Sequence, residues 1–233
     1  PQSYRENVFV PEVSANVVAQ ISLHERGMEL VAEHQLYADA EWGQREFMAA
    51  TDERFRPVDA MNGPDGALYV IDMYRGIVQD QHFLTDELRE QIFQRKLDKP
   101  LGHGRIWRVR HTGGKAERSV PDLAGASQAQ LVSYLSDSNG WVRDTAQRLL
   151  LNHPGDLRAA LQPLATGSDS LGAIHALWTL EGRGELDREL ILETLAISDV
   201  HRQVQALRAG RALLGAEDVL ALDDALRAAP ELL

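Results

Sequence analysis

The sequence contains no cysteine among its 233 residues. This absence excludes disulfides, thiolate metal sites, a cysteine nucleophile and a CxxCH site for haem attachment in this chain. It does not indicate a compartment, because reducing and oxidising environments both tolerate a chain without cysteine.

Long hydrophobic runs and excess positive charge are missing as well. No run approaches the roughly 18 apolar residues that a membrane-spanning helix needs, so no transmembrane segment is expected. The net charge of -11 and a pI near 5.2 argue against a nucleic-acid partner, because phosphates favour a basic surface. The chain begins with Pro1 and not with Met, and we therefore expect it to be a piece of a longer protein.

The familiar motifs of nucleotide-binding proteins and hydrolases are absent. The sequence has no GxGxxG, GxxxxGK[ST] or GxSxG pattern. His82, His103 and His111 do not have the spacing of a known ligand motif, so we predict no metal site.

Residues 1–112 carry short alternating apolar runs separated by Gly, Pro and Asn. The clearest hairpin joins Phe55–Met61 to Ala67–Asp72 through the turn residues Asn62-Gly63-Pro64-Asp65-Gly66. Thr85 and the acidic residues after it predict a helical insertion near 84–97. Groups of four short strands in roughly 40–45 residues are typical of propeller blades. We therefore predict that 1–112 form the C-terminal part of a β-propeller.

The second half has a helical pattern that repeats every 30 residues. Small residues mark this period at Ala146, Ala176 and Ala206. A fixed period of this length is typical of stacked helix pairs. After a polar linker at 113–124, residues 125–233 are predicted to form HEAT-like repeats, because the stretch 139–146 (NGWVRDTA) resembles the second helix of such repeats. The predicted fold class is thus a partial β-propeller, its last blades, followed by an α-solenoid.

Three stretches of the first half resemble a known family. They are Phe55-Arg56-Pro57-Val58, then 63–72 (GPDGALYVID), then 103–109 (HGRIWRV). They look like the closing blades of the putative membrane-bound dehydrogenases, which are similar to quinoprotein (pyrroloquinoline quinone) glucose and sorbosone dehydrogenases. Such proteins often continue into HEAT-like repeats and then a c-type cytochrome domain. The resemblance covers roughly residues 4–110.

The resemblance implies candidate cofactor residues. In the glucose-oxidising relatives a pair of arginines precedes the Pro-Asp-Gly turn, and Arg54 and Arg56 match that pair, so they are the candidate ligands of pyrroloquinoline quinone. The relatives also use a lysine where this chain has Ser14. A second group, Asp72, Tyr74 and Arg75, follows a predicted strand and is a further candidate for cofactor binding. Structural alternatives remain open for both groups, namely ion pairs with Asp52, Glu53 or Asp59 and a salt bridge within a loop.

Two functions therefore remain open. By resemblance, the chain is a piece of a periplasmic or exported quinoprotein-type oxidoreductase acting on a sugar or an alcohol, inactive alone. Its helical repeats would then dock an electron acceptor, such as a cytochrome domain. The alternative is a non-catalytic scaffold in which both halves bind other proteins. No catalytic residue can be named from the sequence.

Overall fold

The computed structural model describes residues 4–5, 7–26, 29–113, 119–218 and 223. The chain divides into two compact units, Pro1–Arg118 and Ser119–Leu233. Within the described residues, no helix combines the length and the hydrophobicity needed to cross a lipid bilayer.

The described residues of the first unit form three small antiparallel sheets. The strands of the first sheet are β1 (Asn7–Glu12), β2 (Val17–Arg26) and β3 (Glu29–Gln35), in this spatial order. A two-residue strand, Met48–Ala49, pairs with the start of β2, and it is β6 in chain order. Between β3 and β6, β4 (Tyr37–Asp39) and β5 (Gly43–Arg45) form a separate hairpin.

The third sheet positions the candidate site. It comprises β7 (Pro57–Asn62), β8 (Leu68–Asp72) and β9 (Arg105–Val109), with β8 in the middle. The turn between β7 and β8 forms because Gly66 has a positive φ of 78° and Asp65 accepts a hydrogen bond from the backbone N–H of Ala67. Helix α1 (Asp86–Gln94) lies in the connection from β8 to β9, and Thr85 caps it.

The second unit is built of helix pairs. Its described helices are α2 (Gln128–Tyr134), α3 (Gly140–Leu151), α4 (Arg158–Ala165), α5 (Ser170–Arg183), α6 (Arg188–Leu195) and α7 (Val200–Gly210). The first helix of each pair starts 30 residues after the previous one, at 128, 158 and 188. The second helices start at 140, 170 and 200. The helix starts therefore keep the period that is visible in the sequence.

A continuous apolar core connects successive helix pairs. Its fully buried members include Leu135, Ala146, Leu161, Ala176 and Ile191. Two ion pairs accompany it, and their arginines follow the 30-residue period. Arg158, at the start of α4, pairs with Asp187, which lies 29 residues further on. Thirty residues later, Arg188, at the start of α6, pairs with Asp218. Each of these arginines thus ties its helix to the chain one repeat further on.

The fold class predicted from the sequence, a partial β-propeller followed by an α-solenoid of HEAT-like repeats, is wrong. The described residues form sheets of four, two and three strands followed by helices, a mixed β + α arrangement, and no closed propeller is found among them. The error has a physical reason. Alternating runs and turn residues specify local hairpins, whereas the number of strands in a sheet and its closure depend on long-range packing that these signals do not encode. The expected four-stranded unit around β8 contains only three strands.

Candidate functional site

The candidate site is centred on the carboxylate of Asp72, the last residue of β8, which is fully buried. One of its oxygens, Oδ1, accepts hydrogen bonds from the backbone N–H groups of Arg56 and Tyr74, both at 2.8 Å. The other, Oδ2, accepts from Nε of Arg105 at 3.0 Å and from the indole Nε1 of Trp107 at 3.1 Å. Four donors compensate for the loss of hydration that burying a carboxylate entails.

The strand register brings these groups together. Asp72 pairs with Arg105, and Val70, two residues earlier, pairs with Trp107. Because alternate residues of a strand point to the same face of the sheet, the side chains of Asp72, Arg105 and Trp107 share one face. We refer to Asp72, Arg105 and Trp107 as the Asp72 hub.

Tyr74 extends the hub by a cation–π contact. The guanidinium carbon of Arg105 lies 3.7 Å from the centroid of the Tyr74 ring and 5.1 Å from that of the Trp107 ring. The Tyr74 hydroxyl donates to Oδ2 of Asp52 at 2.9 Å. The hydrogen bond from the backbone N–H of Arg54 is the main cause that holds the pKa of Asp52 below its usual value. Burial opposes this shift, and the hydrogen bond from the Tyr74 hydroxyl adds to it.

Arg56 is held almost entirely by main-chain carbonyls. Its Nε donates to the carbonyl of Arg75, Nη1 to the carbonyl of Val13 and to Oδ1 of Asn16, and Nη2 to the carbonyl of Gly76. Four of the five N–H donors that a guanidinium carries are thus engaged. Arg56 joins the turn after β1 to the segment that follows β8.

Arg54 also donates hydrogen bonds to main-chain carbonyls. Its Nε donates to the carbonyl of Lys99 and its Nη2 to that of Lys96, each at 2.9 Å. Its Nη1 lies 3.7 Å from Oδ1 of Asp52, one of the ion pairs that the sequence left open. Arg54 therefore attaches the end of the β8–β9 connection to the start of the sheet.

These contacts show how many N–H donors of Arg54 and Arg56 are left to bind a quinone. An anionic quinone would need guanidinium donors that point away from the protein backbone. The described hydrogen bonds use four of the five N–H donors of Arg56 but two of the five of Arg54. Arg56 therefore has little hydrogen-bonding capacity left for a quinone, whereas Arg54 has more, and the assignment of both as cofactor ligands stays a prediction.

The second candidate group is Asp72, Tyr74 and Arg75. The carboxylate of Asp72 accepts four hydrogen bonds within the protein, and Arg75 contributes its main-chain carbonyl, which accepts a hydrogen bond from Nε of Arg56.

The remaining candidate residues from the sequence lie elsewhere. His82, His103 and His111 are exposed. Ser14, at the position of the lysine in the quinoprotein relatives, lies in the turn between β1 and β2, where its N–H donates to Glu12. In the described parts of the chain, no group of three or more His, Asp and Glu side chains is arranged to hold a metal ion.

A shallow groove of about 350 Å³ lies beside the hub. Four apolar side chains line it together with Gly104 and two hub residues; the apolar four are Val58, Ile71, Met73 and Ile106. Ile106 is 66% exposed, and Val58 and Met73 are exposed to 43% and 37%. We call these four side chains the apolar groove. Its volume is at the low end of the range of about 300–1,000 Å³ for small-molecule sites.

Sequence reasoning missed the groove and two members of the hub. Arg105 and Trp107 were visible as alternate residues of a predicted strand, and their shared face was a usable signal. Their partner Asp72 lies 33 and 35 residues away, and only the register of β8 with β9 identifies it.

Comparisons with known proteins give one match. A family model described as DUF7133, a domain of unknown function, matches residues 1–113. The match covers the strands β1–β9 and ends before the helix pairs. No curated protein matches the chain, and no solved structure matches it.

Proposed function

We propose that this chain is a non-catalytic protein-interaction module. The observation that carries this proposal is the apolar groove, in which three of the four apolar side chains are more than a third exposed to solvent. Exposed apolar side chains that lie together on one face of a sheet are available for hydrophobic contact with a second protein surface.

The sequence of β8, the central strand of the third sheet, supports the proposal that a partner protein covers the apolar groove. The run Leu68-Tyr69-Val70-Ile71 in β8 is apolar on both faces, a pattern typical of strands buried on both sides. Val70 is fully buried on the face of the hub, whereas Ile71 faces the groove. A protein surface placed over the groove would remove Ile71 and Ile106 from water.

The polar side chains near the groove are already engaged in hydrogen bonds within the protein. A general acid, base or nucleophile needs a side chain that can exchange protons or electrons with a substrate. The carboxylate of Asp72 is buried under four donors, and the guanidinium of Arg56 is bound to carbonyl groups. The groove itself offers side chains for hydrophobic contact.

The helix pairs suit the same role. Repeated helix pairs build surfaces from exposed residues while the buried ones hold the pairs together. Leu171 is 52% exposed and Leu213 is 42% exposed in this unit. We include docking of a protein partner on these helices in the proposal, with an electron-acceptor protein or a cytochrome domain as the candidate that the family resemblance suggests.

A second function deserves a test, because the three stretches that resemble quinoprotein dehydrogenases form a single sheet. The first stretch contains the start of β7, and the other two contain β8 and β9. In this second proposal the chain is part of a larger, exported oxidoreductase that acts on a sugar or an alcohol. Arg54 and Arg56 would remain its candidate quinone ligands, together with residues outside this chain.

The experiment combines a cofactor titration with crosslinking. The full-length protein is dialysed against pyrroloquinoline quinone and Ca²⁺, and retained quinone is measured by absorbance and by dye reduction with aldoses and alcohols. In parallel, benzoylphenylalanine is placed at Ile106 and, as a matched control, at Phe83, which is 81% exposed outside the groove.

We expect no retained quinone and no dye reduction. We also expect benzoylphenylalanine at position 106, and not at position 83, to give a discrete covalent adduct of this protein with a second protein. Stoichiometric quinone with dye reduction would overturn the first proposal in favour of the second. Equal crosslinking from both positions would overturn the assignment of the groove as the contact surface.

A further inference from the structure

The hairpin of β4 and β5 displays a tryptophan at its tip. Trp42 is 70% exposed, the most exposed tryptophan in the described chain. Large aromatic side chains are costly to leave in water, and they are enriched at the energetic centres of protein interfaces. The exposed indole of Trp42 is therefore available for contact with another surface, and it does not line the apolar groove.

The tip is a fixed turn. Oδ1 of Asp39 accepts hydrogen bonds from the backbone N–H groups of Glu41 and Trp42, each at 3.0 Å. Gly43 closes the turn with a φ of 75°, a conformation that favours glycine. These backbone hydrogen bonds, that of Trp42 first, hold the pKa of Asp39 below its usual value. The indole is therefore presented on an ordered backbone.

The base of the hairpin is anchored as well. Tyr37 donates a hydrogen bond from its hydroxyl to Gln20 on β2, and its ring lies 6.3 Å from that of Phe47. All residues from 40 to 45 are exposed, so no cleft encloses the indole. This geometry suits contact with a macromolecular surface better than the enclosure of a small sugar.

Charge indicates the kind of partner. Residues 37–46 contain the carboxylates of Asp39, Glu41 and Glu46 against the guanidinium of Arg45. Asp39 lies 3.7 Å from Arg45, and Glu46 contacts His34 at 2.8 Å. Glu41, next to Trp42 in the chain, is exposed, and the chain as a whole carries a net charge of -11.

We propose that the tip of this hairpin, Glu41 and Trp42, is a docking site for a basic protein surface. An arginine or lysine of the partner would place its cationic group over the indole face, where the ring quadrupole attracts it. The carboxylate of Glu41 would add electrostatic attraction that salt weakens. This site is separate from the apolar groove and does not depend on it.

The test follows the indole N–H of Trp42 by NMR. The four tryptophans give four indole signals, and a Trp42→Phe variant assigns the relevant one. The probe is a hexa-arginine peptide titrated at low and at physiological salt, with a hexa-glutamine peptide and maltohexaose as neutral probes. Affinities are also measured for Trp42→Ala and Glu41→Gln.

Matched controls separate this site from the general acidity of the chain. Phe83→Ala removes an exposed aromatic ring elsewhere, and Glu87→Gln removes one exposed carboxylate from α1. Ile106→Ser alters the apolar groove. The three controls are expected to bind the peptide like the parent chain, so a failure here is distinguishable from a failure of the groove.

We expect hexa-arginine to shift the Trp42 signal saturably, and more at low salt. Trp42→Ala should weaken binding about two- to fivefold, the range for an exposed cation–π contact. Glu41→Gln should weaken it about twofold. The proposal is overturned if the Trp42 signal does not move, if the controls lose as much affinity, or if maltohexaose shifts the signal more strongly than the peptide.

Discussion

The indole Nε1 of Trp107 donates a hydrogen bond to Oδ2 of Asp72 at 3.1 Å, from β9 to the neighbouring strand β8 of the third sheet. The same oxygen binds Nε of Arg105. A buried carboxylate thus holds β8 and β9 together from the side, in addition to the main-chain ladder.

Replacing Asp72 with Asn should destabilise the first unit. The amide would keep one acceptor oxygen but would present N–H donors towards the donors of Arg105 and Trp107. We expect a loss of about 2–3 kcal/mol in the free energy of unfolding, measured by urea denaturation. Asp59→Asn, at an exposed position on β7, is the control and should change stability by less than about 0.5 kcal/mol. Equal effects of the two variants would contradict the role of the hub.

Replacing Arg56 with Ala should lower stability even when no cofactor is added. The variant leaves the carbonyls of Val13, Arg75 and Gly76 without their donor, and we expect a cost of about 2–4 kcal/mol. Arg75→Ala is the control, because Arg75 contributes its carbonyl and its side chain is exposed. Thermal unfolding monitored by circular dichroism measures both. A parent-like melting temperature for Arg56→Ala would indicate that the arginine is free for a ligand.

Protonation of His175 should make the helical unit less stable in mild acid. Its Nε2 accepts from Nε of Arg143 at 3.2 Å, and its Nδ1 contacts Oε1 of Gln147 at 2.7 Å, so the ring is neutral with Nδ1 protonated. Burial first, and then the charge of Arg143, lower the pKa of His175 below its ordinary value of 6.5, although Asp144 and Asp169 oppose this.

The sign follows from proton linkage. The unfolded chain binds the proton more tightly, so the stabilising contribution is complete above pH 6.5 and is lost as the pH falls through the lowered pKa. Urea midpoints for the parent and for His175→Gln are measured from pH 8 to pH 5, with His82→Gln as the control. A stability difference between parent and His175→Gln that shrinks towards pH 5 is expected, and one that stays constant would refute the linkage.

Gly210 should not tolerate a side chain. A Cβ at this last residue of α7 would lie 3.0 Å from Cγ1 and Cγ2 of Ile191 and nearer still to its Cδ1. Because Ile191 is fully buried, it has little room to move, and Gly210→Ala should cost about 1–3 kcal/mol. Gly140→Ala is the matched control. Its Cβ would meet only the tip of Arg143 at 3.5 Å, so it should be neutral or stabilising by up to about 1 kcal/mol. Urea denaturation measures the free energy of unfolding of both variants. A Gly210→Ala variant as stable as the parent chain would show that α6 and α7 are not tightly packed at this point.

The parts of the fold that the sequence predicts are those with local signals. The turn at residues 62–66 is readable because Gly, Asn, Pro and Asp each favour a turn for a known reason. The period of 30 residues is readable because matching positions, such as Ala146 and Ala176, are buried in the same way in successive pairs. The strands β4, β5 and β6 were missed because two or three residues are too few to show alternation.

The site was harder to predict for a different reason. The acceptors that hold Arg56 are mainly main-chain carbonyls of residues 13, 75 and 76, and a carbonyl carries no signature in the sequence. The spacing of Arg54 and Arg56 therefore suited a ligand as well as a structural role. The predicted propeller failed on the same ground, because the joining of sheets is a long-range property.

The ion pairs from Arg158 to Asp187 and from Arg188 to Asp218 have a consequence for how this protein can change in length. The helix starts and the two arginines repeat every 30 residues, whereas the two aspartates are 31 residues apart. Adding or removing 30 residues between equivalent points of two neighbouring pairs therefore keeps each arginine in register and displaces its aspartate by one position. Duplication or loss of a whole unit is thus a small structural step, whereas an insertion of a length far from 30 residues would put both partners of the ion pair out of register.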